Sequence, residues 1–136
     1  MDKELQAMID CPEIQGKAKW EVGTRTDRGI VAEVKILCSD KHYEEVHVRI
    51  DKTYIFHYAP AILYEPTIED VVGWLGTLPY SLISPMEAMI SEWTLLHHVD
   101  HSGIYSIYYA DTLLKALLKL WMWVEYSKEW KEGVWK

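Results

Sequence analysis

ADTLLKALLKLWMWVEY, residues 110–126, decides how the chain folds, because its apolar residues nearly encircle a helix. A helix of that kind has to be buried on three sides. Asp111, Lys115 and Lys119, spaced four apart, are expected to form its one solvent-facing strip, with Asp111 and Lys115 as a favourable i,i+4 pair. A chain of 136 residues can cover two of the apolar sides with a sheet and a second helix. The third side, around Leu118, Met122 and Tyr126, is then left to the tail residues Trp130 and Trp135 folding back, or to the partner in a homodimer.

Upstream of this helix the punctuation is helical as well. Ser84-Pro85-Met86-Glu87 supplies a serine cap, a proline at the first helical position and a glutamate at the third. It predicts a helix that buries Met86, Met89, Ile90, Trp93 and Leu96 and runs to about His101. Thr67 caps a shorter helix whose apolar face is Ile68, Val71, Val72 and Leu75, with Gly76 as its stop. Residues 78–83 read as a connector, and residues 104–109 fit either a strand or a helix lead-in.

The first half of the chain has period two instead. Ile30, Ala32, Val34 and Ile36 alternate with Val31, Glu33, Lys35 and Leu37; Val46, Val48 and Ile50 follow, then Tyr54, Phe56 and Tyr58. Turns are expected at Ser39-Asp40-Lys41 and at Asp51-Lys52, and Thr26-Asp27-Arg28-Gly29 lets residues 20–23 pair as a fourth strand. Residues 3–9 form a short helix with Leu5, Met8 and Ile9 on one face, ended by the Cys11-Pro12 step.

The expected fold is therefore α+β: an N-terminal antiparallel meander of three to four strands packed against two to three C-terminal helices. It reads as a single domain over residues 1–136, with a helical arm (1–15), a β-sheet region (17–64), a helical region (66–126) and a Trp-containing tail (127–136). In that tail Gly133 sits where a turn brings Trp135 back towards Trp130.

The formal net charge of −7 works against bulk nucleic-acid binding, although it leaves room for a local basic pocket. Cys11 and Cys38 have neither the number nor the spacing of a disulfide framework, which points to reduced thiols in a cytoplasmic protein. The opening MDKELQAMID is charged where a secretory signal needs an apolar core. The most apolar run, residues 113–124, is broken by two lysines and too short to span a bilayer, so no membrane association is expected. Seven Trp and nine Tyr against a single Phe favour rings with a hydrogen-bonding edge, of the kind enriched at interfaces.

Three constellations could carry function. His97 and His101 have the i,i+4 spacing that lets two imidazoles on one helical turn share a zinc ion, with His42, His47 or His57 as a third ligand. The alternative is histidines whose ring nitrogens are satisfied near a helix end. The same string, through His98, Asp100 and His101, resembles part of the metal-binding signature of the metallo-β-lactamase superfamily, although Leu96 stands where that signature has another His. Lys35, Arg49 and Lys52 on the sheet and Arg25 and Arg28 before it, with Tyr54 or Trp20 for stacking, could hold a small nucleotide; otherwise they keep the sheet soluble. No nucleophile elbow, Cys–His neighbour or glycine-rich phosphate loop occurs, so a non-enzymatic role without a cofactor is expected.

Three segments resemble a group of small proteins encoded by bacteriophages and prophages of Gram-positive bacteria. They are Leu5 to Gln15 with Trp20, Val22 and Gly23 after it; Tyr64-Glu65-Pro66 with the helix through Trp74-Leu75-Gly76; and Tyr126-Ser127-Lys128-Glu129-Trp130 with Gly133 and Trp135, where Ser127 replaces the usual Gly. The resemblance implies a phage origin and no particular reaction; phage accessory proteins of this size commonly act by binding. Such a protein would inhibit or redirect a host factor, most readily one of an antiviral defence system, or sequester a small signalling nucleotide. A metal-dependent hydrolase using His97 and His101 is the enzymatic alternative.

Overall fold

A computed structural model describes residues 2–38, 44–98 and 105–136. The chain is α+β and divides into two compact units, Met1–Pro66 and Thr67–Lys136.

The first unit opens with helix α1 (Lys3–Ile9). Asp2 caps it, its Oδ1 accepting from the N–H groups of Glu4 at 2.7 Å and Leu5 at 3.1 Å. Met8 and Ile9 are buried, as the spacing predicts. Pro12 does end this helix, and it also starts a one-turn helix, α2 (Pro12–Gln15), because proline suits a first helical position.

Four antiparallel strands follow in the order β1 (Arg25–Thr26), β2 (Gly29–Cys38), β3 (Glu44–Ile50) and β4 (Phe56–Tyr58). The fourth strand is thus formed by Arg25 and Thr26, not by residues 20–23. Gly29, at φ 131°, makes the β1–β2 turn possible: a Cβ there would lie 2.9 Å from Ile50 Cγ2. The expected turn at residues 39–41 lies outside the described residues. The one after Asp51 forms, with Lys52 at φ 63°.

The alternation along β2 is not the simple one. The β2–β3 register shifts between Val31 and Glu33, which is where an extra residue fits a β-bulge. Val31 therefore shares the inner face with Val34 and Val48, while Ile30 points to solvent. Val31, Val48, Ile50, Ala59 and Ile62 form the core of this unit, with Trp20, Val34 and Val46 packed against it.

The second unit contains helix α3 (Ile68–Leu75), whose capping box pairs Thr67 with Asp70 in both directions. Val71 and Leu75 are buried, whereas Ile68 and Val72 remain partly exposed. The helix expected from Ser84 to His101 does not form. Ser84 caps helix α4 (Pro85–Ala88) as its sequence dictates, but Met89 turns left-handed at φ 55° and ends it, leaving Met86 and Met89 almost fully exposed. Beyond it Trp93–His98 is a strand.

The strands here, β5 (Tyr80–Ile83), β6 (Trp93–His98) and β7 (Tyr105–Ala110), make a three-stranded antiparallel sheet inside the region read as helical. Aromatic and β-branched residues on these strands favour a pleated surface, and pairing on both sides of β6 outweighs the local helix-start signal.

Helix α5 (Leu113–Tyr126), capped by Thr112, packs on α3 and on β6 and β7. Trp121 meets Trp74 with ring centroids 5.0 Å apart. Two expectations about this helix are corrected. Lys115 is not on a solvent strip: it is 1 % exposed, its ammonium reaching outward to Asp111 at 2.8 Å. Leu118 and Met122 are already fully buried and offer nothing to a dimer partner, while Tyr126 is half-exposed with its ring edge-on to Trp121. Trp130 and Trp135 pack on each other instead, centroids 5.0 Å apart, across the hairpin β8 (Trp130–Lys131) and β9 (Val134–Trp135), which turns at Gly133 as its sequence predicts.

Candidate functional site

One recess of the first unit is built by a side-chain latch. The Gln15 amide donates from Nε2 to the carbonyls of Ile9 and Tyr64, each at 2.9 Å, and its Oε1 accepts from the Tyr64 N–H at 2.8 Å. The segment ending in Tyr64 is also tied to the β1 turn. Asp27 N–H donates to the Leu63 carbonyl at 3.0 Å, and Leu63 N–H donates to Asp27 Oδ1 at 3.0 Å.

These bonds fix the walls of a cavity of about 380 Å3. Gln6, Asp10 and Asp27 supply polar groups, Trp20 an aromatic one, and Pro60 and Ile62 apolar ones. Two carboxylates and no lysine or arginine line it, so the cavity suits a cationic head on an apolar stem.

A second recess, about 450 Å3, lies in the other unit between Tyr108, Tyr109, Trp130, Glu92, Glu129 and Lys119. Its lysine is committed, Nζ donating to the Tyr109 carbonyl at 2.7 Å. Burial is the main cause that pushes the Tyr108 phenol above its ordinary pKa; a hydrogen bond with Ser106 opposes this and Glu129 adds to it.

The residues expected to hold a nucleotide are divided. Cross-strand pairing puts Glu33, Arg49 and Phe56 on one face of the first sheet, with Lys35, His47 and Tyr58 beside them. On that face Arg49 is paired with Glu33 at 3.2 Å, and Lys35 Nζ lies 4.5 Å from the Phe56 ring centroid. Trp20 is on the opposite face, against the core and edge-on to Tyr64. Arg25 and Arg28 are exposed at the β1 turn, and Lys52 and the 95 %-exposed Tyr54 stand in the β3–β4 loop, next to Arg49, whose Nη1 donates to the Thr53 carbonyl at 3.2 Å.

His97 is on strand β6, so the helical geometry required of a His97–His101 pair is not formed there, and His101 lies outside the described residues. The Nδ1 of His97 is buried without a hydrogen-bond partner, and burial, then His98, lower its pKa. Among the described residues no three His, Cys, Asp or Glu side chains converge to hold a metal ion.

Two groupings escaped the reading of the sequence. Gln6 on α1 and Asp10 at its C-cap, four apart, carry a helical signal for a shared polar face, but Asp27, which completes the cavity, reads locally only as a turn former. Ser81 and His98 are joined at 2.8 Å between Oγ and Nε2 because β5 pairs with β6, a neighbourhood that spacing alone does not reveal. No protein-family model, curated protein or solved structure matches this chain.

Proposed function

We propose that this chain is a non-enzymatic, phage-borne binding protein that inhibits or redirects a host protein, such as a component of an antiviral defence system. The observation that carries the reading is the cavity walled by Trp20, Asp10 and Asp27. A lysine or arginine side chain presented by a partner would lay its stem along Pro60 and Ile62 and place its charge between the carboxylates, against a chain of net charge −7. The latch of Gln15 supports this, because walls held before binding need no ordering when the partner arrives.

The test is affinity capture from host lysate with the wild-type chain and with Asp10→Lys, an exposed position whose change leaves the latch intact. A stoichiometric partner held by the wild type and lost by Asp10→Lys is the expected result. A partner held equally by both overturns the role of the cavity, and no stoichiometric partner for the wild type overturns the binding reading.

A second reading, capture of a small nucleotide, draws on the exposed Tyr54 in the loop whose Thr53 carbonyl accepts from Arg49. A thermal-shift series with linear and cyclic nucleotides tests it; unchanged melting across the series counts against it.

A further inference from the structure

Strand β2 is ten residues long, yet most of its outer edge is unused. β1 pairs only with Gly29 and Ile30, and Val31 exchanges backbone bonds with Gly23 and Thr24 on that side. From Ala32 to Cys38 the strand is bonded to β3 alone among the described residues. This free edge has no proline, and its far end carries Ile36 and Leu37 at 60 % and 47 % exposure, one on each face. Among the described residues β4 pairs with His47–Arg49 alone, so there the rungs from Ile36 to Cys38 form a two-stranded ribbon. Such ribbons are marginal in water, and a bare apolar edge is a template for pairing.

We propose that this edge pairs antiparallel with the same edge of a second copy of the chain, about a two-fold axis at Val34. The sequence of this edge is self-complementary. With Val34 opposite its symmetry mate, Glu33 stands opposite Lys35 of the other copy, twice, on the sheet's polar face. Centring the axis on Glu33 sets two glutamates opposite each other, and centring it on Lys35 sets two lysines. A register centred between residues would place polar-face residues opposite core-face ones. Val34 is therefore the centre at which opposite charges meet, and because Val31 of each copy is already bonded to Gly23 and Thr24, the ladder ends at Ala32 opposite Ile36 on both sides. The pairing would join two four-stranded sheets into one over Ala32 to Ile36 of each copy. It also moves the homodimer contact from Leu118 and Met122, which the fold buries, to an edge that the fold leaves open.

Sedimentation equilibrium on the full chain, at physiological salt so that the mutual repulsion of two −7 chains is screened, tests this. The wild type is expected to be dimeric at about 100 μM. Lys35→Glu and Glu33→Lys each place like charges opposite and should weaken the dimer by at least about tenfold. Loss of the exposed Glu33–Arg49 pair costs the fold little. An equimolar mixture of the two variants restores both opposite-charge rungs, so it should dimerise again, which also shows that both variants are folded. A monomeric wild type, a Lys35→Glu variant that dimerises like the wild type, or a mixture that stays monomeric each overturns the proposal; the first of these leaves the edge to a strand from another protein.

Discussion

Gln15 and Tyr64 pair as two strands would, the side-chain amide of one donating to and accepting from the backbone of the other at 2.9 Å and 2.8 Å. The same amide reaches the Ile9 carbonyl at the end of α1, so one side chain ties the N-terminal helices to the segment that closes the first unit. Gln15→Ala removes three partly buried hydrogen bonds, although the Ile9 carbonyl keeps the Cys11 N–H, and should lower unfolding stability by about 1–3 kcal/mol. Urea denaturation checks this; a loss below measurement error would mean that water replaces the amide without cost.

Lys115 and Asp111 make an unequal pair, a buried ammonium held by a largely exposed carboxylate. Asp111→Ala removes a countercharge from a charge that cannot leave the interior, and should destabilise by about 1–3 kcal/mol. Lys115→Met keeps the packing of the stem and removes the buried charge, so it should be close to neutral or stabilising. Urea curves of the two variants, compared with the wild type, check the order; a Lys115→Met variant less stable than Asp111→Ala would contradict it.

Burial pushes the Cys11 thiol from an ordinary 9.0 up to about 11, and its Sγ lies 3.6 Å from the Met8 carbonyl, to which it donates. The raised folded value means that the neutral thiol stabilises the native state fully below pH 9.0, and that this contribution is lost as pH rises towards about 11. Stability of the wild type should therefore fall over that interval more steeply than that of Cys11→Ala. At pH 8 the exposed Cys38 should alkylate well before Cys11, which peptide mass spectrometry after timed iodoacetamide treatment resolves.

Ser127 ends α5 in the left-handed region at φ 53°, with its N–H donating to the Trp123 carbonyl at 2.9 Å. Glycine adopts that backbone without steric cost, so Ser127→Gly should stabilise by about 0.5–1 kcal/mol, read as a raised melting temperature. An unchanged or lowered melting point would show that the serine side chain contributes more than its backbone strain costs.

The elements that were legible are those whose signals are local. The cap at Thr67, the helix at residues 113–126, the strand run from Gly29 to Tyr58 and the Gly133 turn all follow from a few adjacent residues. What was not legible depends on distant partners. Ser84-Pro85-Met86-Glu87 is a true helix start, yet β6 forms nine residues on because strands on either side claim it. The bulge after Val31 is set by pairing with Ile50 and Arg49, so the inner face of β2 could not be read from its own alternation. The cavity has the same origin: Asp10, Asp27 and Trp20 are separate in the chain and converge because Gln15 fastens Tyr64.

The proposed binding role of that cavity is tested most directly by titrating the 15N-labelled protein with N-acetyl-arginine amide and, separately, with its neutral citrulline counterpart. The Trp20 indole resonance is assigned through Trp20→Phe. A saturable shift of that resonance is expected with the arginine compound, weakened in Asp10→Asn, and none with citrulline. An indole signal that stays in place with arginine, or moves equally with citrulline, would contradict it.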